Sequence, residues 1–112
     1  MIKNRIPVRK IIELFRIMYK SHLKDDFITS LAVPGDPDGT LRKRLKGVTL
    51  KSRIYAKSGY INRVKAISGY VLRFDGRDLV FSFIANNYQE KHAYKITLLQ
   101  NELMKTLSEV NF

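Results

Sequence analysis

Residues 53–60 read Arg53-Ile54-Tyr55-Ala56-Lys57-Ser58-Gly59-Tyr60, a β-type run that closes on a cation, a hydroxyl and a glycine. Ile54 and Ala56 alternate with Tyr55 and Lys57, which is the two-residue period of a strand. Gly59 removes a side chain where another backbone can come close. The edge of such a strand can take an extended peptide. Lys57 then offers positive charge to a carboxylate, Ser58 a hydroxyl donor, and the N–H of Tyr60 a donor for a developing oxyanion. Lysine, serine and glycine also meet at many strand ends that have no function, so the neighbouring sequence decides what the triplet means.

Downstream, Asn62-Arg63 begins a return, and Val64 to Phe74 reads as a long second strand. Ala66, Ser68, Tyr70, Leu72 and Phe74 fall on one face, and Lys65, Ile67, Gly69, Val71 and Arg73 on the other. Asp75-Gly76 is a strong hairpin signal. Leu79 to Ala85 follows as an almost uniformly apolar strand, the pattern of one covered on both faces. Asn86-Asn87 is placed to end it and to cap a helix whose Ala93, Ile96, Leu99, Leu103, Leu107 and Val110 form one apolar stripe.

Upstream, Pro7 suits a helix start, and Val8, Ile11, Ile12, Phe15, Met18 and Tyr19 recur at helical steps. Arg9, Lys10, Glu13, Arg16 and Lys20 make the solvated face of that helix. Asp25 to Leu31 predicts a second, brief helix stopped by Pro34 and Gly35. Gly35-Asp36-Pro37-Asp38-Gly39 is a turn, with Asp38 or Thr40 as cap for a helical turn over Leu41 to Lys46 that Gly47 ends. The order is helices, three antiparallel strands and a closing helix, an α+β arrangement with helices on at least one face of the sheet.

The 112 residues suffice for one core, and no linker or repeat divides them. A net charge of +11, from 21 Lys and Arg against 10 Asp and Glu, points to an anionic partner or environment. A small basic nucleic-acid-binding module is therefore an alternative reading, with Tyr55, Tyr60 and Tyr70 set among the cations. The basic residues are spread along the chain, however, and no nucleic-acid-binding signature is present. Without cysteine there is no disulfide, thiolate nucleophile or cysteine-bound metal. His22 and His92, with no carboxylate at ligand spacing, suggest no metal, and nothing implies a cofactor. The N-terminus has no apolar run of signal-peptide length, and no stretch approaches a membrane span.

Taken in order, Ser30-Leu-Ala-Val-Pro-Gly35, Asp38-Gly-Thr-Leu-Arg-Lys-Arg44, Ala56-Lys57-Ser58-Gly59-Tyr60, Ile67-Ser-Gly-Tyr70 and the Asp75-Gly76 hairpin resemble a run in one family. It is the C-terminal part of the penicillin-binding D-alanyl-D-alanine carboxypeptidases, serine peptidases that also act as peptidoglycan endopeptidases. The likeness covers about residues 27 to 110, and the family's lysine, threonine or serine, glycine signature stands here as Lys57-Ser58-Gly59. The resemblance implies a β-lactamase-like transpeptidase fold, of which residues 1–112 form a single partial domain, its C-terminal portion. It also implies acyl transfer on peptidoglycan stem peptides, or acylation by a β-lactam, in a periplasmic or other extracytoplasmic parent enzyme. By position, Lys57 gives electrostatic support to proton transfer and to the substrate's terminal carboxylate. Ser58 hydrogen-bonds that carboxylate, Gly59 permits close approach, and the Tyr60 N–H joins the oxyanion hole.

The chain departs from the pattern at the nucleophile. No Ser-x-Asn occurs in the sequence, and the one Ser-x-x-Lys, Ser21-His22-Leu23-Lys24, lies a short step before the Asp-Gly-Thr segment, far from the family position. A self-sufficient serine hydrolase built on Ser21 and Lys24 is the third reading. Tyr60-Ile61-Asn62 imitates a Tyr-x-Asn relay but directly follows the triplet, where a strand-end turn belongs. The expectation is therefore a C-terminal fragment without its nucleophile, inert alone. Its partner would be the missing N-terminal part of the same enzyme, or copies of itself through an unpaired sheet edge.

Overall fold

A computed structural model describes residues 7–61 and 63–111. Helix α1 runs Val8–Tyr19 with Pro7 extended at its N-cap, and α2 runs Lys24–Thr29 with Asp25 and Asp26 in its first turn, where acidic side chains suit the helix dipole. The strands are β1 (Arg53–Ile61), β2 (Val64–Leu72) and β3 (Leu79–Asn86), and a short 3₁₀ turn at Glu90–His92 leads into α3 (Ala93–Glu109). The sheet is antiparallel in the order β1-β2-β3.

Both faces of the sheet are covered. On one, Ile54, Ala56, Ile67, Val71 and Phe81 pack with Leu41 from the preceding loop and Met104 of α3. On the other, Tyr70 packs with Phe15 and Ile28, joined by Ile11, Tyr19, Phe27, Leu31, Tyr55, Leu72 and Val80. The alternating faces read for β2 separate in this way. The uniformly apolar β3 is divided likewise, with Leu79, Phe81 and Phe83 toward α3 and Val80 toward α1. The Tyr70 hydroxyl donates to the Phe15 carbonyl at 2.5 Å and the Tyr19 hydroxyl to Asp78 at 2.6 Å, which ties α1 to the sheet.

Several local expectations are corrected. Leu41 to Lys46 is not helical: one turn closes with Arg44 N–H on Leu41 O, Leu45 takes φ +53°, and neither Asp38 nor Thr40 caps it. Strand β2 ends at Leu72, because the Arg73 N–H donates to the Asp78 carboxylate and the Arg73 carbonyl accepts from Gly76 N–H. The link to β3 is thus longer than a two-residue hairpin. Asn87 ends β3 in the left-handed region, φ +57°, but α3 has no side-chain cap.

The predicted stripe of α3 is rotated. Leu99 is 55% exposed, while Gln100, Met104 and Ser108 are buried. Polar residues hold these inward positions because each finds a partner. Gln100 accepts from the Arg44 guanidinium at 2.7 Å and donates to the Lys65 carbonyl at 3.3 Å, and the Ser108 hydroxyl donates to the Lys105 carbonyl at 2.7 Å. A buried amide with both ends satisfied costs little, so the apolar periodicity lost to hydrogen-bond geometry.

Candidate functional site

Strand β1 changes character at Lys57. From Ile54 to Ala56 it is buried or half-buried, and from Lys57 to Ile61 every residue is exposed. On its outer side the N–H and carbonyl of Ala56 pair with Ala32, at 2.8 and 2.9 Å, in an isolated antiparallel bridge. Main-chain groups two residues apart on a strand point the same way. With Ala56 turned outward, Ser58 and Tyr60 present their N–H and carbonyl groups to the open edge, while Lys57, Gly59 and Ile61 turn theirs toward β2. No described residue takes up the Ser58 or Tyr60 groups.

Side chains alternate across the sheet plane in the same rhythm. Tyr55 lies on the α1 face and Ile54 and Ala56 on the α3 face, so Lys57 leaves on the α1 side and Ser58 and Tyr60 on the α3 side. A single ligand meets both the Lys57 ammonium and the Ser58 hydroxyl only by lying along the edge. Below Lys57 the register sets Ser68 and then Ser82. Their hydroxyls share a 2.8 Å hydrogen bond, a polar row across an otherwise apolar face.

Gly59 and Gly69 differ sharply. A Cβ at Gly59 meets nothing within 4 Å, so the chain itself does not require glycine there. At Gly69, opposite Ala56 in the register, a Cβ would collide with the Tyr55 carbonyl and sit 2.7 Å from Ala56 Cα. Sequence reading placed Gly69 on a face without seeing this role; glycine inside a strand is itself a signal of close backbone approach.

Tyr60 is held from the side. Its hydroxyl donates to Glu90 at 2.6 Å, and Lys65, its cross-strand partner, sits 5.4 Å from its ring centroid. The hydrogen bond to Glu90, with burial and the nearby carboxylate charge, pushes the phenol up to about 12. Lys65 is lowered by burial and by Arg44, against an opposing pull from Glu90. Arg44, itself lowered by burial, donates to Asn101 as well as Gln100 and fixes this corner to α3. The Tyr88 hydroxyl is buried nearby without a hydrogen-bond partner among the described residues. Sequence reading missed Glu90, because a contact across 30 residues leaves no periodic trace.

Ser21 and Lys24 do not form a nucleophile and base. The segment between α1 and α2 is a turn, so the pair does not share a helical face. The Ser21 hydroxyl donates to the Met18 carbonyl at 2.9 Å and accepts from Leu23 N–H at 3.1 Å, and Lys24 lies over the Tyr19 ring at 3.9 Å. Asn62 of the Tyr-x-Asn string lies outside the described residues. Among the described residues no group of three His, Asp or Glu side chains is placed to hold a metal ion, and no helix is long and apolar enough to cross a membrane.

The D-Ala-D-Ala carboxypeptidase 3 (S13) family model matches residues 2–106. No curated protein matches the chain.

Proposed function

The chain belongs to the D-Ala-D-Ala carboxypeptidase 3 (S13) family, and from that premise we propose that its Lys57–Tyr60 segment is the substrate-binding strand for a peptidoglycan stem peptide. The observation that carries this reading is the open edge beyond Ala56, where the main-chain groups of Ser58 and Tyr60 stand unpaired next to a cation and a hydroxyl. An extended peptide lies along that edge. Lys57 attracts its terminal carboxylate and supports proton transfer, and the Ser58 hydroxyl hydrogen-bonds the carboxylate. The Tyr60 N–H stabilises charge on the carbonyl oxygen under attack. The open space at Gly59 leaves room for the peptide backbone.

The attacking serine in this proposal comes from outside the chain, since Ser21 is committed to a turn and no Ser-x-Asn is present. Alone, the chain binds and does not hydrolyse. The parent enzyme works where peptidoglycan is, outside the cytoplasm. The outer edge of β3 has no neighbouring strand among the described residues, and it is where copies of this chain, or the rest of the enzyme, would pair.

An N-acylated D-Ala-D-Ala peptide titrated into the chain is expected to shift the amide resonances of Ser58 and Tyr60. No shift there would remove the strand reading. Incubation with a penicillin is expected to leave the mass unchanged, and a covalent adduct on Ser21 would revive the self-sufficient hydrolase. Sedimentation that finds only monomer would dismiss self-association.

A further inference from the structure

We propose that Glu90 is a positioning residue, holding the Tyr60 side chain so that the Tyr60 main-chain N–H keeps its direction at the open edge. The proposal rests on the substrate-strand reading above. Among the described residues, Tyr60 is the one position where a side-chain hydrogen bond joins the exposed half of β1 to an element other than β2. The far end of that bond is firm. Glu90 opens the 3₁₀ turn, closed by His92 N–H on Gln89 O at 2.8 Å, and the turn runs directly into α3. Helix α3 is anchored in turn by buried Gln100 and Met104. The line from the core to the strand edge is therefore α3, Glu90, the Tyr60 phenol and the Tyr60 backbone. The acceptor is a carboxylate, which makes the bond charge-assisted and stronger than one between neutral groups. Lys65 beside the ring adds a second restraint from the neighbouring strand. The raised phenol of Tyr60 agrees with a carboxylate held against it.

The arrangement separates two roles within one residue. The Tyr60 N–H would touch the substrate, while its side chain faces away along the α3 side of the sheet and takes its hold from Glu90. Oxyanion donors act by being fixed before charge develops, so a donor near the exposed end of a strand needs such a restraint.

Two measurements on the full chain test this. In hydrogen exchange, Glu90→Ala and Tyr60→Phe are each expected to speed exchange of the Lys57, Gly59 and Ile61 amides about threefold to tenfold. The Tyr55 amide should be unaffected, and Glu90→Gln, which keeps an acceptor, should restore the slow rate. Equal rates in all four proteins would overturn the proposal. In titration with an N-acylated D-Ala-D-Ala peptide, Glu90→Ala should weaken binding by a similar factor and Glu90→Gln should recover it. Loss in both variants alike would mean that the charge of Glu90, not its hold on Tyr60, matters, and would also overturn it. If the wild-type chain ignores the peptide, the substrate reading fails separately, and exchange still decides whether Glu90 restrains the strand.

Discussion

Between Arg53 and Ala56, strand β1 lies inside the protein, with Ile54 and Ala56 against α3, Tyr55 against α1, and Ala32 on its outer edge. From Lys57 to Ile61 the same strand keeps its pairing with β2 but loses its packing, its one other side-chain hydrogen bond among the described residues being that of Tyr60 to Glu90, and its outward main-chain groups meet no described partner. The backbone is continuous and the register unbroken, so the difference is one of surroundings alone. A strand can be held rigid at one end by packing while its other end stays available, which is what a peptide-binding edge requires. The two glycines of the β1–β2 pair mark the division. Gly69 lies where two backbones press together, and Gly59 where nothing does.

The strongest way to break the packed end is Gly69→Ala. The added methyl group collides with the Tyr55 carbonyl and Ala56 backbone, which cannot swing aside as a side-chain tip can. Urea unfolding should show a loss of about 3 kcal/mol, the upper range for overpacking a core. Next comes Arg73→Met. The buried Arg73 guanidinium donates to the Leu107 carbonyl near the end of α3 at 2.7 Å and to Asp75 at 2.9 Å. Removing it leaves a helix-end carbonyl without that donor, so a loss of about 2 kcal/mol is expected. A loss under about 0.5 kcal/mol in either variant would mean the packed end is not the rigid one.

The elements themselves were legible because each has a period or a stop signal. Val8 to Tyr19, the alternation in β1 and β2, and the uniform apolarity of β3 all lead to the observed helices and sheet. What failed was whatever long-range hydrogen bonding decides. The stripe of α3 turned toward Gln100 because Arg44 and the Lys65 carbonyl satisfy that amide, and no apolar scale ranks glutamine as a core residue. The candidate site divided along the same line. Lys57, Ser58, Gly59 and Tyr60 stand together as a local string, whereas the Ala32 bridge that closes the edge up to Ala56, and Glu90 beside Tyr60, arrive from 24 and 30 residues away.

Strong acid should loosen the turn beside the packed end. The Arg73 guanidinium and then the Arg77 N–H hold the Asp75 carboxyl at about 2, below its ordinary 3.8. The folded state therefore binds this proton less readily than the unfolded chain. The stabilisation is complete above about 3.8 and is lost as the pH falls through 2. Amides of the 73–78 turn should exchange faster across that window, in a step that Asp75→Asn removes. No step in the wild-type protein would show that the Arg73–Asp75 contact does not order the turn.

The smallest effect on stability belongs to Gly59→Ala, and it is the most informative. Its methyl group would project into open space on the α1 face, and the strand backbone there needs no glycine. Stability should stay within about 0.5 kcal/mol of the wild type, the range of surface substitutions. If the edge holds a stem peptide, the same methyl group occupies space the ligand backbone needs, and affinity for an N-acylated D-Ala-D-Ala peptide should fall about tenfold, equivalent to about 1.4 kcal/mol. The two glycines would then be opposites, one kept for folding and one for binding. Unchanged affinity would mean that the ligand does not come close at Gly59, whereas a large loss of stability would place the boundary of the packed half beyond Ala56.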